Sequence, residues 1–192
     1  MDVRQQAHLS GMRLADMPEL FDPSRQSSFE LVIPGLDQLT LPDGSGELVG
    51  VGAQSNTNII RLSVASHSLP SHQLNVVEKV LGNQRVKFAG KPQQNSLTLS
   101  VSDWVDAQVY EVLWAWYQKC YSNRSQKIGR AHSYKMPAYV HQYDAAFEQV
   151  IRTWEIKGCW PSNLSQDEFS AEADAQCKIQ LELQYDNYDI LD

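Results

Sequence analysis

From Gln176 to Tyr185 the chain alternates polar and apolar residues without a break, Cys177, Ile179, Leu181, Leu183 and Tyr185 against Gln176, Lys178, Gln180, Glu182 and Gln184. A period of two places each set on one face of a β-strand, because successive side chains of a pleated strand point to opposite sides. This stretch must therefore belong to a sheet with one buried face. Its other face is polar and mostly uncharged, suited to line a surface that something else passes or touches. Upstream, a further strand leads to Gly158-Cys159-Trp160-Pro161, which reads as a turn, and an acidic loop separates that turn from the last strand.

At 192 residues the chain suits one domain, long enough to bury a core without metals or disulfides. A net charge of -7 argues against a surface built to hold a phosphate backbone, since such surfaces accumulate Lys and Arg. The three cysteines, Cys120, Cys159 and Cys177, cannot all pair and show no CxxC or Cys/His spacing, which suits synthesis in a reducing cytosol. Residues Met1 to Ser28 carry Asp2, Asp16, Glu19 and Asp22 among scattered apolar residues and lack the apolar core of a signal peptide. No apolar run approaches the roughly 20 residues that span a bilayer as a helix, so a soluble chain without membrane association is expected.

Residues 1–28 read as an arm with at most a short helix near Met12 to Leu20, interrupted by Asp22-Pro23-Ser24. Short strands follow at Phe29 to Ile33, ended by Pro34-Gly35, and at Asn58 to Val64, with a turn signal at Leu41-Pro42-Asp43-Gly44 between them. Between Ser66 and Lys91 loop formers dominate, and only Val76 to Leu81 and Val86 to Phe88 are apolar enough to be ordered; a connection this long is expected to be mobile or occupied by a partner. Leu97, Leu99 and Val101 alternate with Thr98, Ser100 and Ser102 in another half-buried strand.

A helix is expected over about Trp104 to Tyr121, capped by Ser102 or Asp103, because Val105, Val109, Val112, Leu113, Trp116 and Cys120 recur at the helical period. Acidic residues at its start and Lys119 near its end suit the helix dipole. Trp104, Trp114, Trp116, Tyr117 and Tyr121 crowd this helix, and most belong to the core stripe; Trp114 falls away from it, as an interface Trp would. After the helix, Ser122 to Lys135 contains Arg124, Lys127, Arg130 and Lys135 with no acidic residue, whereas Asp167, Glu168, Glu172 and Asp174 form a one-signed acidic segment and Asp186, Asp189 and Asp192 cluster at the C-terminus. The plain reading of such runs is solvated loop. The sharper one is that opposite segments meet across copies of the chain, fixing register in a head-to-tail contact.

Catalytic chemistry is not legible. His8, His67, His72, His132 and His141 show no metal-ligand spacing, and no Walker loop, GxGxxG or GxSxG motif occurs. Cys159 sits in an apolar turn with no basic neighbour closer than Lys157, where a buried thiol is inert. No enzyme, cofactor or metal site is expected.

Taken together, Val86-Lys87-Phe88-Ala89-Gly90-Lys91, Leu113-Trp114-Ala115-Trp116-Tyr117, the polar loop with Gly129 before Tyr134-Lys135, Thr153 to Pro161, and the strand ending Leu183-Gln184-Tyr185-Asp186 form an ordered set. Over about Val86 to Leu191 this order resembles the tail tube proteins of contractile bacteriophages, which are similar in fold to the haemolysin-coregulated protein of type VI secretion. The resemblance implies a mainly β (α+β) domain over residues 29–192, two packed antiparallel sheets forming a small barrel flanked by one α-helix at about 104–121, with an extended N-terminal arm and a long loop. It implies homohexameric rings stacked into a tube, with the sheets of six subunits joined in a continuous inner barrel and the arm and the long connection reaching a neighbouring copy. Its implied partners are tail sheath, baseplate and terminator proteins, with DNA only in transit, in a virion tail assembled in the host cytoplasm. Inter-subunit contacts are then expected at Arg124, Lys127, Arg130, Lys135, Asp167, Glu168, Glu172, Asp174 and Trp114, and lumen-facing side chains at Gln180, Glu182 and Gln184. A secretion-type tube or a baseplate tube initiator of the same fold, and a monomeric β-barrel that binds a small apolar ligand, are the alternative readings.

Overall fold

The computed structural model describes residues 25–39, 55–106, 108–144, 146–168 and 175–191. The expected arm helix, the turn at Leu41 to Gly44, and Glu172, Asp174 and Asp192 lie outside the described residues. The alternating strand forms as read: β10, Lys178–Gln184, buries Ile179, Leu181 and Leu183 and leaves Lys178 and Gln180 exposed and Glu182 and Gln184 half-buried. Burying three such aliphatic side chains contributes on the order of 6 kcal/mol gross. Its antiparallel neighbours are β5, Leu97–Ser102, which buries Leu97, Leu99 and Val101, and the last part of β9, Val150–Gln166.

One antiparallel sheet of seven strands results, in the order β1 (Phe29–Val32), β8 (Met136–Tyr143), β9, β10, β5, β2 (Val64–His67), with β11 (Asn187–Leu191) lying beside the first part of β9. The fold is mainly β, but β1 and β2 are not hydrogen-bonded to each other, so the sheet does not close into a barrel. The ring of Phe29 meets His67 edge-on across the opening, 4.6 Å between centroids. Leu31, Val140 and Ile156 from one half of the sheet share a core with Leu99, Val101, Ile179 and Leu181 from the other.

The Gly158-Cys159-Trp160-Pro161 segment is a bend inside β9 rather than a turn between strands. Two residues of β9 oppose one of β8 where Met136 pairs with Cys159 and Ala138 with Ile156, a β-bulge. Gly158 sits there at φ +67°, and a Cβ on it would collide with the Asp186 carboxylate. Glycine supplies the left-handed conformation and the space together. Before the bulge β9 is paired with β8 and β11; beyond it the partner is β10.

Asn58 to Val64 is not a strand. Residues Asn56–Ser63 form helix α1, because Ser55 caps it by accepting from the Asn58 amide at 3.3 Å, while the Thr57 amide donates to Asp37 and the Thr57 hydroxyl to the Ile33 carbonyl. The helix buries Ile59, Ile60 and Ser63 and leaves Leu62 69 % exposed, the reverse of what the strand register required of Leu62. The short 3-10 helix Pro34–Gln38 supplies Asp37 and the Leu36 carbonyl, which accepts from the Asn56 side-chain amide at 3.3 Å, and Ile33 stands just before it.

Helix α2 runs over Val109–Cys120, starting later than Trp104. Val109, Val112, Leu113 and Trp116 are buried as expected, and the Trp116 indole donates to the Tyr134 carbonyl at 2.8 Å. Trp104 and Val105 are exposed in a turn, and Gln108, in a left-handed conformation, precedes the first helical residue. Asp103 does not cap; its amide donates to the Cys177 carbonyl and its carboxylate accepts from Gln166, which ties off the end of the sheet.

The connection expected as loop over Ser66 to Lys91 is largely a hairpin of β3, His72–Leu81, and β4, Gln84–Gln94. Gly82, at φ +62°, opens the two-residue turn where favoured hairpin geometry demands a positive φ. Gly90 fits a bulge in which a Cβ would stand 2.8 Å from the Asn75 carbonyl oxygen. Loop-forming residues here shape a ribbon.

Replacing Gly158 by Ala forces both a left-handed alanine and a clash with Asp186. The expected cost is about 1–3 kcal/mol, read as a lower urea midpoint at unchanged slope. A midpoint equal to that of the parent chain would show that β9 does not depend on this residue.

Candidate assembly surfaces

The face of β10 turned away from the core belongs to a broader polar surface. Gln180 lies between Ser100 of β5 and Ser165 of β9, and Glu182 between Thr98 and Asn163, while Lys178 stands beside Ser102. The Gln180 amide donates to the Ser100 hydroxyl at 3.1 Å, and the Ser162 hydroxyl donates to the Glu182 carbonyl at 3.0 Å. Directly opposed residues share a face, so this surface is hydroxyl and amide with one carboxylate and one ammonium in balance. Thr98, Ser100 and Ser102 were readable from the alternation of β5. Asn163 and Ser165 were hidden by reading the segment before them as a turn.

The same four-stranded part of the sheet has two unpaired edges among the described residues. Residues 160–166 of β9 pair with β10 on one side only, and β2 pairs with β5 on one side only. Unpaired strand edges carry rows of free N–H and C=O groups that template pairing with another chain.

The charged segments divide into groups inside and outside the chain's own ion pairs. Lys135 bonds both oxygens of Asp186 at 2.6 and 2.8 Å, and Lys157 pairs with Asp189 and Glu155. Lys135 is therefore engaged within its own chain. Arg124, Lys127 and Arg130 are exposed on and after the small ribbon of β6, Tyr121–Ser122, and β7, Lys127–Ile128, and make no ion pair among the described residues. Asp167 accepts from the Lys178 amide at 3.0 Å, and Glu168 beside it is exposed. Trp114 is half-buried and stacks between Tyr110 and Tyr117, at centroid distances of 6.1 and 5.9 Å. Spacings of four and three residues align the three rings along one side of α2.

Reacting groups are not assembled anywhere in this surface. Among the described residues no three His, Cys, Asp or Glu side chains converge as a metal site, and no helix is long and apolar enough to cross a membrane. Burial pushes the Cys159 thiol up to about 12. The opening between β1 and β2 is a cleft of about 860 Å³ lined by Phe29, Val64, His67, Val140 and Trp154, with Arg61 at its margin. Arg61 is held by Glu30 at 3.1 Å, and Glu30 also accepts from the Tyr143 hydroxyl at 2.7 Å, which raises that phenol's pKa.

Free strand edges, a projecting hairpin and a polar sheet face define a structural subunit. Residues 54–189 match the model of the T4-like virus tail tube protein gp19 family, and the chain belongs to that family. The family is one of tail tube proteins, which are structural proteins and not enzymes. The tail tube protein of Serratia phage KSP90 is 23% identical over 134 residues, spanning 69% of this chain and 75% of the relative. Among solved structures, a chain from the PVC sheath-tube complex of an extracellular contractile injection system in its extended state aligns with a TM-score of 0.62 at 14% identity, over 94% of this chain and 99% of the other. A chain from the anti-feeding prophage tube-terminating cap gives a TM-score of 0.60 at 16% identity, over 88% and 91%. These two likenesses concern the fold.

At pH 8 a thiol raised to about 12 is ionised to only about one part in 10⁴. Cys159 is expected to resist a maleimide in the native protein and to react once the chain is unfolded in urea, as peptide mass mapping reads out. Rapid native labelling of Cys159 would contradict its burial.

Proposed function

We propose that six copies of this chain join edge to edge into a ring, and that rings stack into a tube that conducts DNA. The observation that carries this reading is the four-stranded sheet of β9, β10, β5 and β2, which has a neutral polar face and a free strand edge on each side. Pairing the 160–166 edge of one copy with the β2 edge of the next extends the ladder around a ring. Six such sheets give an inner wall of about 24 strands, on the order of 115 Å around and ~37 Å across at the backbone, before strand tilt widens it.

In this arrangement Gln180, Glu182 and Gln184, with Thr98, Ser100, Asn163 and Ser165, line the bore. A surface without guanidinium groups and without excess positive charge offers phosphates no site to bind, so nucleic acid passes without being held. Arg124, Lys127 and Arg130, together with Asp167 and Glu168, supply charged contacts between copies. In the stack of Tyr110, Trp114 and Tyr117, Tyr110 packs against the core, and the half-buried Trp114 is placed for a neighbouring copy or a sheath protein. The tube belongs to a virion tail assembled in the host cytoplasm, with baseplate and terminator proteins at its ends.

Negative-stain electron microscopy of the purified chain, paired with native mass spectrometry, tests this reading. The expected result is six-membered rings and stacks of rings with an open centre. A chain that stays monomeric at all concentrations, alone or with its baseplate partners, would overturn it.

A further inference from the structure

The two ends of the sheet, β1 and β2, face each other with no ladder between them. Among the described residues an ion pair and a ring contact span the opening: Arg61, on the helix that leads into β2, meets Glu30 of β1, and His67 of β2 meets Phe29 edge-on. His67 stands between two spaces. On its outer side lies the cleft of about 860 Å³, which it lines together with Phe29, Val64, Val140 and Trp154. On its inner side lies a small void lined also by Leu31, Val140, Ile156, Cys159 and Leu183. The imidazole and Val140 border both, so an ionisable ring forms part of the partition between the cleft and the core.

The chemistry of that ring is set by its surroundings. A carbonyl can only accept, so His67 Nδ1, 3.0 Å from the Ser68 carbonyl, carries the ring proton, and Nε2 carries the lone pair. A second proton must go to Nε2, on a ring bounded largely by apolar side chains. The charged side chains that line the cleft, Arg25 and Arg61, are both cations, and Cys159 on the inner side is a thiol that burial keeps protonated. The carboxylate next in sequence to Phe29, Glu30, is already shared by Arg61 and the Tyr143 hydroxyl. No carboxylate among the described residues lines either space to receive an imidazolium. Burial outweighs the Ser68 hydrogen bond and holds the His67 pKa below its ordinary value.

We infer that His67 is an acid-sensitive latch between β1 and β2: the neutral imidazole closes the partition against Phe29, and the protonated ring leaves it for water, opening the cleft through to the core. Because the closed form favours the neutral ring, closure is fully stable above the ordinary imidazole pKa of about 6.5 and weakens as pH falls below it, until the closed form itself takes up the proton. Carboxylates ordinarily titrate near 4, so the interval between about pH 7.5 and 5.5 belongs chiefly to histidine. The consequence for assembly rests on the ring reading. There β2 is the strand whose free edge the next copy pairs, and a β2 released from β1 presents that edge less rigidly, so rings come apart in mild acid.

Cys159 reports the opening from inside. Dithiodipyridine, a disulfide that stays reactive towards thiols in mild acid, is applied to the full chain at pH 7.5 and at pH 5.5, with the same thiol in urea at each pH as the reference. Peptide mass mapping separates Cys159 from Cys120 and Cys177. Protection of Cys159 is expected to fall about tenfold over this interval, the ratio set by an open form that titrates near 6.5 and a closed form that stays neutral. His67→Phe keeps a ring against Phe29, and His67→Asn keeps a donor for the Ser68 carbonyl; both are expected to show equal protection at the two pH values. His141→Asn, at the half-buried histidine bonded to Thr153, is expected to keep the fall. Equal protection of the parent chain at both pH values, or a tenfold fall that persists in a folded His67 variant, would overturn the latch. Rings that persist at pH 5.5 while Cys159 opens would leave the latch standing and contradict pairing through β2.

Discussion

Strand β9 carries both halves of the sheet, so its backbone has to turn at Gly158 without losing its pairing. Seventeen residues of straight strand would project the polar and apolar faces in one plane. The bulge opposite Met136 to Ala138 and the left-handed glycine let the first half of β9 pair with β8 and β11 while the second half pairs with β10. Asp186, packed against that glycine, is also the partner of Lys135, so the bend is joined by a charge-assisted contact to the strand that follows α3, Ala131–Tyr134. Because the sheet folds over here, one core is covered from two sides, and the far face of β10 is left to the outside.

Core and assembly surface are thus two sides of the same strands. Ile179, Leu181 and Leu183 hold β10 against the core, and Gln180, Glu182 and Gln184 follow from them by the period of two. A one-residue slip would exchange the faces, burying glutamines and presenting isoleucine and leucine to solvent; the core therefore fixes the chemistry of the outer surface. Among the described residues the edges on either side of this surface remain unpaired, and in the proposed ring they pair with neighbouring copies.

Much of this was legible in the residues. The faces of β10 and β5 follow from strict alternation, and the buried stripe of α2 from its helical period. The misreadings share a cause, which is that partners distant in sequence decided the local structure. Asn58 to Val64 alternates like a strand, but Ser55, Asp37 and the Ile33 carbonyl hold it as a helix. Glycine at 82, 90 and 158 signalled breaks, yet in each place it shapes a ribbon or a bulge instead of ending one. Val105 fits the helical period but has no surface to pack on, and the helix begins only at Val109. Of the charged residues, sequence could not tell that Lys135 is consumed by Asp186 while Arg124, Lys127 and Arg130 are left outward.

The central claim is that the β10 face lines a bore formed by joined sheets. A cryo-electron microscopy reconstruction of the assembled chain measures this directly. The account predicts a sixfold ring in which residues 160–166 of one copy pair with β2 of the next and Gln180, Glu182 and Gln184 face the central channel. A ring in which that face points outward, or in which the channel is lined by α2, would contradict it.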